Sequence, residues 1–251
     1  MAKTVKVKKI LISQPEPHNG TSPFYELADK YKLRVDFRPF IHVESVPAKD
    51  FRRQKVDILQ HTAVIMTSRT AIENFFRICE EMRIEVPEEM KYFCASETIA
   101  VYLQKFIVYR KRKVFYPKIK GRTLKDIILK HRNEHYLFLR SDVCTSAIPD
   151  LLDKYSIKWT QAILYRTVAS DLSDLSDVNY DVIAFFSPSG IKSLFENFPN
   201  FQQNNTKIAT FGDSTTQEAE TNALTVNVKA PTPEAPSMKM ALEHYIKGNN
   251  K

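Results

Sequence analysis

Hydroxyl side chains gather where apolar runs of this 251-residue chain come to an end. DVIAFFSPSG (Asp181 to Gly190) closes on Ser187, Ser189 and Gly190. KIATFGDSTT (Lys207 to Thr216) closes on Gly212, Ser214 and Thr215. The chain has only five glycines, and two of them stand in these turns. A strand that ends in small hydroxyl residues before a helix leaves free backbone N–H groups at the positive end of the helix dipole, which is an anion cradle. Ordinary N-capping by Ser and Thr makes the same pattern, so a single turn decides nothing. Thr67-Ser68-Arg69, Ser96 to Thr98 and Arg140-Ser141 repeat it. In a doubly wound sheet such turns share the carboxyl edge, where ligands bind. A surface of hydroxyls and amides with few titratable groups suits a polycarboxylate held by hydrogen bonds better than acid–base chemistry at a shifted pKa.

Other chemistries find little support. The six histidines, at 18, 42, 61, 131, 135 and 244, have no metal-ligand spacing, so no metal site is expected. GxGxxG, P-loop and GxSxG motifs are all absent. Cys79, Cys94 and Cys144 are far apart and form no CxxC, which argues against disulfides and zinc and suits a reducing cytoplasm. No apolar run reaches about 18 residues, and MAKTVKVKKILIS lacks a signal-peptide cleavage pattern, so no membrane association is expected. The net charge of +8 is uneven: Lys105 to Arg140 holds 12 Lys plus Arg against Asp126 and Glu134. Such a run points to a polyanionic partner or simply to a solvated face. Tyr109, Phe115 and Tyr116 interleave it as base-stacking groups would, which keeps a nucleic-acid-binding module as an alternative.

The elements that must position the turns alternate between strand and helix, which predicts an α/β chain with mostly parallel sheets. KKILIS, HTAVIMTS, KYFCAS, YLFLRSD, the Asp181 and Lys207 runs and LTVNVKA read as strands. Helices are expected at PFYELADKY behind Ser22, around Lys49 to Leu59, and over Arg69–Met82, Glu97–Gln104, Thr123–His131, Ser146–Lys154 and Ser237–Ile246. The tail KGNNK reads as disordered. Two long extended stretches, LRVDFRPFIHV (33–43) and IKWTQAILYRTVAS (157–170), interrupt the alternation and read as an antiparallel pair. They imply two doubly wound, Rossmann-like domains. One is discontinuous (1–35 and 168–251), the second spans 44–162, and residues 36–43 and 163–167 form the two-stranded linker. Clefts between domains favour ligands.

FFSPSGIKSLF, IATFGDSTTQEAE and VKAPTPEAPSMKMAL, in that order, resemble the uroporphyrinogen-III synthase family. That family carries a TSPSG-like turn, an IGPTTA-like turn and an A-x-x-PTPEAL-like run before its last helix. The resemblance is specific over Ile163 to Ile246 and at the N-terminal strand, and is one of pattern alone in the middle domain. It implies cofactor-free cyclisation of hydroxymethylbilane, a substrate with eight carboxylates, to uroporphyrinogen III with inversion of the last pyrrole ring. A monomer acting on a small molecule is expected, with nucleic acid an unlikely partner.

Carried over residue by residue, the resemblance points to Tyr165 of LYRT as proton donor to the departing hydroxyl. It also implies substrate binding by Ser187, Ser189 and Gly190, by Ser214 and Thr215, and by Thr67, Ser68 and Arg69. Ser96 and Thr98 match less well, because Phe93-Cys94-Ala95-Ser96 stands where glycine is common. Arg69, Arg140 and Arg166 are the cations expected nearest the ligand. Asp213 replaces the usual proline and brings a negative charge to one cradle. That departure keeps a catalytically weakened, tetrapyrrole-binding relative as a second alternative.

Overall fold

The computed structural model describes residues 6–18, 20–118, 121–143, 147–176 and 179–249; Cys144 lies outside them. The chain runs β1 (Lys9–Ile12), α1 (Pro23–Tyr31), β2 (Arg34–Phe37), β3 (Ile41–Ser45), α2 (Ala48–Arg53), β4 (Ala63–Met66) and α3 (Arg69–Glu81). It continues with β5 (Lys91–Cys94), α4 (Glu97–Leu103), β6 (Val114–Phe115), α5 (Leu124–Lys130), β7 (Tyr136–Ser141), α6 (Ile148–Lys154) and β8 (Trp159–Ala169). Last come β9 (Val182–Phe185), α7 (Pro188–Asn197), β10 (Lys207–Phe211), α8 (Asp213–Thr221), β11 (Val226–Ala230) and α9 (Met238–Asn249).

Two compact units result: Met1–His42 with Val168–Lys251, and Val43–Thr167. The first holds a five-stranded parallel sheet ordered β11-β10-β9-β1-β2. The other sheet has six strands ordered β3-β8-β7-β4-β5-β6, with β8 through β6 parallel. Central strands are buried on both faces, as helices on both sides of a parallel sheet require. Val182 and Ala184 of β9 enter one apolar cluster while Ile183 and Phe185 enter another. In β4, Val64 and Met66 face one cluster, Ala63 and Ile65 the other. This period of two is why those strands read as unbroken apolar runs. Helix α3 lays Ile72, Phe75, Ile78 and Cys79 on its sheet.

The long stretch 33–43 is two strands rather than one. Arg34–Phe37 pairs in parallel with β1, and only Ile41–Ser45 lies beside β8. Pro39, which has no N–H for a ladder, stands in the break. Strand β8 is likewise more than a connection, because its first half is laddered to β7. The helix expected around 49–59 stops at Arg53, where Lys55 turns left-handed (φ 54°), and a 3-10 turn covers Ile58–Gln60. Helix α9 runs to Asn249, past the point where the sequence predicts a disordered tail. Strand β6 lies inside the basic run, where the sequence shows no strand signal.

Candidate active site

In the unit Val43–Thr167, β4 ends at Met66 and the chain turns through Thr67 and Ser68 into α3. Ser68 has extended backbone and its Oγ accepts the Ala71 N–H at 3.0 Å, the local reason the helix starts there. The same Oγ lies 3.1 Å from the phenol oxygen of Tyr165. Tyr165 is half-buried and packs on the cluster that contains Ala162 and Leu164.

A β-bulge fixes where that phenol stands. The β7–β8 register moves from Arg140 opposite Ile163 to Ser141 opposite Tyr165, leaving Leu164 as the additional residue. Beyond the bulge, the Asp142 N–H donates to the Tyr165 carbonyl at 3.2 Å. Asp142 Oδ1 accepts the N–H groups of Thr167 (3.0 Å) and Val143 (2.8 Å). Arg140, one of the cations expected nearest the ligand, braces this turn: Nε donates to Ser141 O at 2.8 Å, Nη2 to Asp142 O at 2.7 Å and Nη1 to Gln161 Oε1 at 3.0 Å. Nothing in the sequence marks Asp142, one residue past the hydroxyl, as an acceptor for a distant strand.

The remaining turns differ in what occupies the first helical position. At α4, Ser96 accepts the Ile99 N–H at 3.4 Å, Thr98 is exposed, and Glu97 follows the cap with the Tyr116 hydroxyl 3.4 Å from its carboxylate. At α3 the first turn carries no acid; Arg69 is exposed there with its guanidinium 5.2 Å from the Tyr102 ring centroid. The Tyr102 phenol donates to Glu73, which raises its pKa above the ordinary value. Arg166 is exposed next to Tyr165.

In the other unit, Ser187 caps α7 through the Gly190 N–H at 3.3 Å, and again no acid enters the first turn. Ser189 is half-buried and Gly190 buried. A Cβ built on Gly190 would lie 3.7 Å from Ser187 Oγ and 3.8 Å from Ser13 Oγ. Ser13, at the end of β1, therefore lies beside this turn; nothing in the sequence marks it, because a proline-rich loop and not a helix follows. At α8 the cap is Gly212, with φ +87° and no side-chain bond; its N–H donates to Ala230 O at 2.6 Å. Asp213 and Ser214 are exposed, but Thr215 is only 1% exposed. Thr215 is thus turned inward, contrary to the expectation that it would present its hydroxyl beside Ser214. That position is the inner face of an amphipathic helix, which the motif match does not register.

Burial raises the thiols of Cys79 and Cys94 to about 12, so neither is a thiolate nucleophile at neutral pH. Among the described residues no group of three His, Cys, Asp or Glu side chains could hold a metal ion, and no helix is long and apolar enough to cross a membrane. Part of the basic run is engaged within its own unit. Arg110 meets Glu88 at 3.2 Å and Lys113 meets Glu89 at 4.0 Å, while Lys105 and Lys118 lie on the rings of Tyr102 and Tyr116.

Known proteins align with this arrangement. The family model described as uroporphyrinogen-III synthase HemD matches residues 22–239. No curated protein matches the sequence significantly. Among solved structures, the chain is similar to uroporphyrinogen-III synthetase from Helicobacter pylori, at 17% identity, TM-score 0.58, with 96% of this chain and 99% of that one covered. It is also similar to a mutant uroporphyrinogen III synthase from the extremely thermophilic bacterium Thermus thermophilus, at 13% identity and TM-score 0.50, covering 96% and 98%. At those identities the structures speak for the fold, and the family model, which spans most of the sequence, speaks for descent: the chain belongs to the uroporphyrinogen-III synthase family.

Proposed function

We propose that this chain cyclises hydroxymethylbilane to uroporphyrinogen III as a carbon–oxygen lyase that needs no cofactor, with Tyr165 as the proton donor. Family membership makes it an enzyme of heme biosynthesis acting on a small-molecule tetrapyrrole. The observation that carries the mechanism is the Tyr165 phenol, hydrogen-bonded to the cap of α3 at a turn whose first helical residue is Arg69.

The phenol gives its proton to the hydroxymethyl oxygen as the C–O bond breaks. Water leaves with the bonding pair, and the ring that carried the hydroxymethyl group becomes an azafulvene cation. Attack by the last pyrrole at its substituted carbon gives a spiro intermediate, which rearranges and closes. The proton lost from the closing ring carbon returns to the phenolate, so the enzyme is regenerated and the net change is loss of one water. Most of the rate comes from holding a flexible chain with its reacting carbons together. Ser187, Ser189, Gly190 and Ser13 on one unit, and Thr67 and Arg69 on the other, are the groups proposed to hold carboxylates; Ser96, Thr98 and Ser214 are secondary. Work as a monomer in the cytoplasm belongs to the same reading.

The test is to supply enzymatically made hydroxymethylbilane and separate the product isomers. Type III is expected; if only the spontaneous type I isomer forms, the reading fails. Tyr165→Phe is expected to lower kcat by about 100-fold or more, the range of a lost general acid. Full turnover in that variant would remove the assignment while leaving the family untouched.

A further inference from the structure

By motif Ser68 belongs among the groups that meet the substrate, yet its hydroxyl has a different use. A serine hydroxyl offers one proton and two lone pairs. One lone pair of Ser68 Oγ takes the Ala71 N–H, and Tyr165 Oη lies 3.1 Å away. Among the described residues these are its only partners. A single proton bridges the two oxygens, and either one can supply it.

If Tyr165 supplied the proton, its only acidic hydrogen would point at Ser68 and away from any substrate, and both lone pairs of Ser68 would be filled. If Ser68 supplies it, the phenolic hydrogen is free to point outward, and the phenolate left after proton transfer already has a donor in place. Preorganised donors at a developing oxyanion are worth far more than groups that must first reorient. Helix α3 keeps the donor stationary, because Ser68 is at once its cap and Tyr165's neighbour.

We infer that Ser68 is a positioning residue: it donates to Tyr165 Oη, directs the phenolic proton outward and stabilises the phenolate. This rests on the acid role proposed for Tyr165. It removes Ser68 from the groups that bind carboxylates, since its proton is committed within the protein.

The experiment is a double-mutant cycle on the whole chain, with hydroxymethylbilane as the probe and kcat, KM and the type III to type I ratio as readouts. Ser68→Gly deletes the hydroxyl while keeping a residue that caps nearly as well. It is expected to lower kcat about tenfold, the size of a lost hydrogen bond to a charged group, with KM unchanged. Ser68→Thr, which keeps both donor and cap, is expected to restore most of the loss. In a Tyr165→Phe background, Ser68→Gly should change nothing further, because the group it serves is gone. An equal loss in both backgrounds, or a raised KM in either, would overturn the inference and return Ser68 to substrate binding. If Tyr165→Phe itself keeps full turnover, it is the acid assignment that fails, so the two failures are distinct.

Discussion

The two units are built alike but charged differently. Met1–His42 with Val168–Lys251 carries 14 basic and 14 acidic residues, whereas Val43–Thr167 carries 23 and 15, so the whole excess of +8 resides in one unit. The strand-end turns sort the same way inside each. One turn per unit leads into a helix without an acid in its first turn, α3 behind Ser68 and α7 behind Ser187. Its counterpart places a carboxylate there, Glu97 on α4 and Asp213 on α8. A helix N-terminus attracts one negative charge, and its own acid already answers that field. Side-chain capping is thus shared by three of the four turns, Gly212 capping α8 without a side-chain bond, and only the turns into α3 and α7 leave the helix N-terminus without an acid of its own.

The largest effect that separates the turns comes from their glycines. Gly212 holds φ +87° with extended ψ, a region essentially confined to glycine, so Gly212→Ala is expected to destabilise by about 1–3 kcal/mol. Gly190 has no such conformation, and an alanine Cβ there meets Phe185 Cδ1 at 3.5 Å, an ordinary contact. Gly190→Ala should leave the melting temperature in place while raising KM, since the methyl enters a cradle between Ser13 and Ser187. Thermal melts paired with steady-state kinetics check both; equal losses of stability would erase the distinction between these turns.

A smaller effect is expected at the brace behind Tyr165. Asp142→Ala removes the acceptor for two backbone N–H groups, so the strand that carries Tyr165 keeps its backbone bond to the bulged turn but loses the side-chain tie at Thr167. Turnover should fall about tenfold, as for a modest misplacement of a reacting group, and Asp142→Asn should retain most activity because its amide oxygen still accepts. Wild-type kcat in Asp142→Ala would show that the bulge alone places the phenol.

Acid should also act on the basic unit. Burial, reinforced by the His135 ring 4.2 Å away, lowers the His61 pKa below the ordinary value, despite opposing help from the Asp57 carbonyl. The unfolded chain then binds that proton more readily than the folded one, so this contribution to stability is complete above about pH 6.5 and declines as pH falls below it. His131 is lowered as well, first by burial and then by Lys91. Hydrogen-exchange protection of β4 and β7 should drop between about pH 7 and pH 5 by more than that of β9 and β10, following the ordinary histidine range. Parallel behaviour of the two sheets would contradict the assignment.

Much of this is legible in the sequence, for physical reasons. Strands such as AVIM and VIAF declare themselves because both faces are apolar, and Ser22, Ser68, Ser96 and Ser187 each cap the helix they precede. What escapes depends on long-range geometry. The split at Pro39 needs two sheets competing for one segment, and the β7–β8 bulge needs the register of strands that are distant in the chain. For Arg140 the sequence shows the charge but not the carbonyls of Ser141 and Asp142 that its guanidinium engages. Thr215 matches a motif position whose burial only the helix's orientation reveals.

The smallest expected effect bears most directly on the turns. Glu97→Gln and Asp213→Asn each remove a charge that favours a helix start, so each should lower stability by about 0.3–1 kcal/mol. The same change frees the N-terminus for an outside carboxylate, so KM for hydroxymethylbilane should fall a few-fold, more at low salt than at high because exposed charges are screened. Opposite signs in stability and affinity are what identify a turn that its own acid occupies. If Asp213→Asn leaves KM unchanged while Arg69→Ala raises it, carboxylates use the acid-free turns alone. If Asp213→Asn raises KM, the aspartate assists the substrate, and the pairing of acid-free with acid-filled turns does not describe how this enzyme holds its ligand.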